Sequence, residues 1–210
     1  MNARNKVFDR WFPILVHIAC LLPIPWLVLD AWQGNLTANP IRGSILRTGK
    51  IALELLILSL ACTPVNSIFG FKPALKVRRA LGGYSFLYTS LHFAIFVSLD
   101  YGFDFQLVLD ELIRPYALVG LIAGLLLVPL AITSFAPWPK RLGKDWKRLH
   151  NLVYGINLLA GLHFILVVKQ GDTEPYLWMI LIVFLLVLRI PFFRRFLSGF
   201  FTHKERLTLT

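Results

Sequence analysis

Residues 148–168 read RLHNLVYGINLLAGLHFILVV. After Arg148 the stretch carries no Lys, Arg, Asp or Glu. At a rise of ~1.5 Å per residue it can cross a hydrocarbon core of about 30 Å. It nevertheless holds two imidazoles, His150 and His163. Ionisable groups at membrane depth are rare and usually functional, so this stretch sets both the fold class and the functional question.

The rest of the chain agrees with a membrane reading. Its 210 residues are 57% hydrophobic and 16% charged, with a mean hydropathy of +0.66, whereas soluble domains are roughly a quarter charged. The net charge of +11 would suggest nucleic acid in a soluble protein. Here Lys and Arg cluster between apolar runs, so they read as topology signals and contacts with anionic membrane lipids, with no nucleic-acid partner. Cys20 and Cys62 fall inside apolar runs and outside any CxxC; they read as small core residues. The apolar run 11–32 is too long for a signal-peptide core and is not closed by a small-x-small cleavage site, so it reads as a retained helix.

Six runs have the length of a bilayer span, about 11–30, 48–68, 81–99, 115–135, 149–168 and 175–193. The short connections leave one domain over 1–210, with no obvious repeat. The fold class is thus all-α, a six-helix transmembrane bundle. Seventeen of the 22 Lys and Arg fall on one side, in the N-terminus, residues 72–79, residues 140–148 and the chain from 189 on. The other side has Arg42, Arg47, Lys50, Arg114 and Lys169 and most of the acids. The positive-inside rule predicts both termini in the cytoplasm. Pro13, Pro23, Pro25, Pro64 and Pro129 interrupt spans, and the carbonyls they free need neighbours in a packed bundle. Gly82 with Gly83, Gly120 with Gly124, and Gly155 with Gly161 offer close helix or cofactor approach.

Four of the five histidines lie in the spans: His17, His92, His150 and His163. By the ~1.5 Å rise, His92 lies roughly 18 Å and His163 roughly 20 Å from the basic side. They are therefore level, and two level imidazoles on neighbouring helices suit the two axial positions of one haem. His17, about 9 Å into the first span by the same rise, and His150 lie in the basic half, where they could flank a second cofactor. His150 and His163 are 13 residues apart, about 140° out of phase on a straight helix, which argues against two stacked haems unless a glycine distorts the helix. Glu54 reads as shallow, beside Lys50, and Asn151 and Asn157 as polar groups that orient a cofactor or bond across helices. The dense loop WPKRLGKDWKRLH (138–150) is explained by topology bias and equally by a phosphate site.

HIACLLPIPWLV, RTGKIALELLILSLACTP, VRRALGGYSFLYTSLHF, ELIRPYALVGLIAGLLLVPLAITS and KRLGKDWKRLHNLVYGINLLAGLHF together resemble the MsrQ (YedZ) family, a branch of the ferric-reductase-like transmembrane proteins. The resemblance runs from about residue 10 to 195. It implies a bacterial inner-membrane, multi-pass subunit that binds haem b and FMN and passes electrons to MsrP. MsrP is a periplasmic molybdenum enzyme that reduces methionine sulfoxide in oxidised proteins. By position, His92, His150 and His163 match the family's haem-associated histidines, with the iron held by His92 and His163; His17 matches a further family histidine of no fixed role and is read here as a candidate for lining a cofactor or second site. The wider superfamily often has two histidines fourteen apart on each of two helices; here the third span has only His92, and Arg78 and Arg79 stand opposite His150. Arginines suit an anion rather than iron. The basic-side site is therefore read as an FMN site, its phosphate near Arg78, Arg79, Arg141, Lys144 or Arg148 and its other border at His150.

Three functions compete. The first is electron transfer from quinol, or from a cytoplasmic flavin or NAD(P)H donor such as a flavin reductase, to the periplasmic partner. The second, a stand-alone ferric or cupric reductase, would carry a nucleotide-binding domain, and no stretch reads as one. The third, a histidine-lined transporter, wants intramembrane carboxylates, and only Glu54 is available. The first fits best, and without a molybdopterin site the chain is an electron-transfer subunit rather than a complete enzyme.

Overall fold

The computed structural model describes residues 3–168 and 171–190. Lys169 and the cations of 194–206 counted for topology lie outside the described residues, as does the end of the run to 193. All regular structure among the described residues is helical: α1 (Ala3–Leu21), α2 (Pro23–Trp32), α3 (Pro40–Phe69), α4 (Pro73–Ile95) continued by a π-helical turn Phe96–Asp100, α5 (Phe105–Leu112), α6 (Pro115–Ile132), α7 (Pro137–Leu142), α8 (Lys144–His150), α9 (Leu152–Val167) and α10 (Glu174–Val187). Prolines open α2, α3, α4, α6 and α7, where their fixed φ suits a first turn and no N–H is missed. The Asn39 side chain accepts the Arg42 N–H at 3.0 Å to cap α3, which ends at Gly70 in the left-handed region (φ 65°). Asp104 caps α5 by accepting the N–H groups of Gln106 and Leu107.

Five helical stretches are long and apolar enough to cross a membrane: Phe8–Trp32, Pro40–Phe69, Pro73–Asp100, Pro115–Ile132 and Lys144–Val167. The sixth expected span is a shorter apolar helix, Glu174–Val187, of 14 residues, ~21 Å at the helical rise. Two spans are not the single helices the hydropathy predicts. The first breaks between α1 and α2 before Pro23, and the fifth begins in the basic loop as α8 and joins α9 through Asn151. Large apolar side chains such as Trp26, Leu125 and Ile180 face outward, as a lipid-facing surface requires.

Helix α3 is the axis of the bundle. It packs through Ala52 and Leu55 with Cys20 of α1 and Tyr88 of α4, through Ile57 and Leu60 with Ile182 of α10, and through Leu56 with Leu127 of α6 and Ile156 of α9. The Tyr88 hydroxyl donates to the Cys20 carbonyl at 2.8 Å, and both cysteines are free and buried. Arg47 pairs with Asp30 at 2.5 Å, joining α2 to α3. Pro64 cannot donate to the Leu60 carbonyl one turn back. Arg189 takes that place, its Nη2 donating to Leu60 O at 2.6 Å and its Nη1 to the Tyr154 hydroxyl at 2.8 Å. A cation assigned to surface topology thus satisfies a carbonyl inside the bundle.

The pair α3–α4 is matched by α6–α9. Gly49, Ile51, Ala52, Leu55 and Leu56 recur 71 residues later as Gly120, Ile122, Ala123, Leu126 and Leu127, and Leu91-His92-Phe93 recurs at the same offset as Leu162-His163-Phe164. The spans look unrepeated on hydropathy because most other positions have diverged, but the two hairpins place these residues equivalently.

Candidate functional site

His92 on α4 and His163 on α9 meet, with ring centroids 6.3 Å apart and planes at 83°. Each ring is held at Nδ1 by a backbone carbonyl: His92 by Ile45 O at 2.8 Å, His163 by Tyr116 O at 2.7 Å. A carbonyl only accepts, so Nδ1 carries the proton and Nε2 keeps the lone pair in both rings. A metal held by both free nitrogens at about 2.0–2.1 Å would separate the ring centres by roughly 6 Å, in agreement with the observed spacing. The expected level pairing is therefore present.

The carbonyls are reachable for a local reason. A helical carbonyl points along the axis toward the residue four positions on, and Gly49 and Gly120 occupy those positions after Ile45 and Tyr116. A Cβ on Gly49 would stand 3.0 Å from Nδ1 of His92, and one on Gly120 only 2.6 Å from Cε1 of His163. Gly124, by contrast, would meet Thr89 at an ordinary 3.5 Å, Gly82 sits 3.7 Å from Ser59, and Gly161 packs on Met179 and Ile182. Of the expected close-approach glycines, Gly120 serves the site, and Gly49 joins it unforeseen.

Around the pair lies a cavity of about 690 Å³ whose walls include Phe86, Phe93, Ala123 and Phe164, within the range of about 300–1,000 Å³ usual for small-molecule and cofactor sites. Arg42, Lys50, Asp100, Tyr101 and Glu111 line it where α3 begins and α4 ends. Burial, then the carboxylates of Glu111 and Asp100, hold the Tyr101 phenol above its ordinary range. Lys50 pairs at 2.5 Å with Glu174 rather than with Glu54. Among the described residues no group of three or more His, Cys, Asp or Glu converges, so a bare ion would find only two protein ligands. An axial imidazole pair in an apolar slot fits a metal that brings its own equatorial donors, as a porphyrin does.

Thirteen residues before each of these histidines, the hairpins place Arg79 and His150. Here aromatic and cationic side chains stack on one another. The Trp146 indole stacks on His150 with centroids 4.1 Å apart and planes at 29°, and the Arg79 guanidinium lies over Trp146 at 5.7 Å. The Thr133 hydroxyl contacts His150 Nε2 at 3.1 Å, and Trp146 donates to the Thr133 carbonyl at 2.9 Å. Arg78 donates to the Thr63 hydroxyl at 3.1 Å. Of the other expected phosphate contacts, Arg148 pairs with Asp145 at 3.0 Å and Arg141 lies 5.9 Å over Trp138, while Lys144 opens α8. Trp146 was missed by sequence reasoning. Its i, i+4 spacing from His150 is the signal, since such pairs share a helix face. His17 belongs to neither level; its Nδ1 bonds the Tyr84 hydroxyl at 2.8 Å between α1 and α4. Asn157 is fully buried and donates to Val153 O at 2.7 Å within its own helix.

Residues 47–161 match the family model described as ferric reductase like transmembrane component. The chain is 44% identical over 84% of its length to the protein-methionine-sulfoxide reductase heme-binding subunit MsrQ of Xanthomonas euvesicatoria pv. vesicatoria, covering 84% of that protein. It is 40% identical to the protein of the same name from Rhodospirillum rubrum over 91% of its own length and 93% of that relative's. No solved structure matches it.

Proposed function

We propose, because the chain belongs to the MsrQ family of ferric-reductase-like transmembrane proteins, that it is the haem b-binding electron-transfer subunit of a methionine sulfoxide reductase system. It sits in the bacterial inner membrane with both termini cytoplasmic. It accepts electrons from quinol or a cytoplasmic flavin or NAD(P)H donor and serves a periplasmic molybdenum enzyme of the MsrP type. The observation that carries this reading is the His92–His163 pair, 6.3 Å between centroids, each ring fixed by a carbonyl on Nδ1.

Haem, when bound, supplies reversible one-electron storage at a membrane depth where no side chain offers it. The chain's own residues do the rest. His92 and His163 would hold the haem through their two neutral imidazole nitrogens, a ligand set that favours electron transfer over oxygen binding. Phe86, Phe93 and Phe164 line the slot with apolar surface. Asp100, Asp104, Asp110 and Glu111 put negative charge on the periplasmic side, where it steers a basic docking surface.

FMN belongs at the basic end. Arg78 and Arg79 beside His150, with Lys144, Arg141 and Arg148 on the adjoining loop, fit a planar group bearing a phosphate in charge and in stacking chemistry. FMN held there would supply the chemistry that links a two-electron donor to a one-electron acceptor such as haem.

The test is a reduced-minus-oxidised visible spectrum of detergent-purified protein, with pyridine haemochrome and released flavin quantified. His92→Ala and His163→Ala should abolish the b-type bands, and His150→Ala should keep them and lose flavin. Proportional haem loss in all three would refute the division of cofactors between the two ends. Wild type without bands after haem reconstitution would refute the reading as a whole. Pure protein with dithionite should not turn over methionine sulfoxide without its partner.

A further inference from the structure

We propose that Gly49 and Gly120 are paired seats for the two imidazoles, so that axial ligation depends on two bare helix positions as much as on the histidines. The inference rests on the reading that His92 and His163 hold haem. Both hairpins carry one arrangement: a carbonyl (Ile45, Tyr116), a glycine four residues on (Gly49, Gly120), and a histidine whose Nδ1 reaches that carbonyl at 2.8 and 2.7 Å. Carbonyl and histidine are 47 residues apart in each hairpin. A carbonyl inside a helix already accepts one N–H. Its second lone pair can take a side chain from another helix, and here a ring as broad as imidazole reaches it across a position where a Cβ would stand 2.6–3.1 Å from ring atoms. Glycine is a poor helix former, and both of these have negative φ, so backbone conformation does not call for it at either position. The missing Cβ does.

The two seats differ in tightness, and the difference ranks their variants. A methyl on Gly120 would meet Cε1, Nδ1 and Nε2 of His163 at 2.6, 2.7 and 3.0 Å, so the ring would have to leave its place. A methyl on Gly49 would meet His92 at 3.0 and 3.1 Å, which a displacement of a few tenths of an ångström relieves. Gly124 lies one helical turn beyond Gly120 and would bring only an ordinary contact with Thr89 at 3.5 Å. It is the internal control for replacing an α6 glycine.

The experiment compares wild type, Gly120→Ala, Gly49→Ala, Gly124→Ala and His163→Ala, each purified and reconstituted with haem b. Haem per protein, haem affinity, the low-spin electron paramagnetic resonance spectrum and helical content by circular dichroism are read for each. Gly120→Ala should keep its helical content and lose about 10–100-fold in haem affinity, the scale for removing support of a metal-ligating histidine. Gly49→Ala should retain haem with a displaced low-spin spectrum, and Gly124→Ala should match wild type. A folded Gly120→Ala protein with unchanged affinity and spectrum would overturn the proposal and leave the haem reading standing. If Gly120→Ala does not fold, an unchanged spectrum in Gly49→Ala overturns it instead. Full bis-imidazole haem in His163→Ala would overturn the haem reading itself, whatever the glycine variants do.

Discussion

Two levels of the same scaffold have opposite contents. At the histidine level, His92 and His163 face each other across a cavity, each with one nitrogen tied to a carbonyl and one free. At the tryptophan level, the equivalent positions are Arg79 and His150, and the Trp146 indole lies between them. The two levels share sequence spacing, Arg79 to His92 and His150 to His163, so the contents decide the chemistry. Guanidinium cannot ligate iron, and His150 has Trp146 stacked on its ring and Thr133 at its Nε2. A repeated framework thus gives one level with two facing imidazoles, each with a free nitrogen, and one planar cation–aromatic stack.

The comparison breaks most visibly if the tryptophan level can be opened. Arg79→His combined with Trp146→Ala supplies a second facing imidazole and removes the plug; haem per protein should rise above the wild-type value, measured by pyridine haemochrome. No rise would mean that Thr133 or the slot's shape also closes the level. Next in size, Arg189→Leu leaves the Leu60 carbonyl without its donor at the Pro64 break and the Tyr154 hydroxyl without its partner. An orphaned buried group costs about 1–3 kcal/mol, which thermal unfolding in detergent should register without a change in the haem spectrum. Trp146→Ala alone removes an aromatic stack worth about 0.5–1.5 kcal/mol beyond its buried area; released flavin per protein should change while the b-type bands stay. Thr133→Val keeps shape and loses the hydroxyl's bonds to His150 Nε2 and to the Pro129 carbonyl, each a net effect of about 0.5–1.5 kcal/mol, again silent in the haem spectrum. Arg148→Ala, which breaks only an exposed pair with Asp145, should move stability by less than about 1 kcal/mol.

The depth of His92 and His163 was legible because helical rise is uniform: counting residues from the basic side put the rings level, and they meet. The family was legible from long local matches. Phase was less so. The argument that His150 and His163 face different ways assumes one straight helix, whereas α8 ends at His150 and α9 begins after Asn151. The interruption of the first span was legible as well, since Pro23 and Pro25 mark it and the helix breaks before Pro23. The seats and the plug were hidden for a different reason. A glycine in a membrane helix has many uses, and only the three-dimensional partner of its missing Cβ distinguishes Gly120 from Gly124. Trp146 sits in a basic loop where a membrane-interface anchor is the ordinary reading, and its role exists only once α4 and α8 are brought together.

The two histidines belong to different hairpins, α3–α4 and α6–α9, and each ring is held by a carbonyl of its own hairpin. A ligand gripped by both rings therefore adds its binding free energy to the contact between the halves. At a free concentration of 100 times Kd that addition is about 2.7 kcal/mol. Without haem this clasp is missing, so among the described residues the contact between α3–α4 and α6–α9 rests on side-chain packing alone, as of Leu56 on Leu127 and Ile156. Protease cuts in the connection 101–114 should accumulate faster in haem-starved cells.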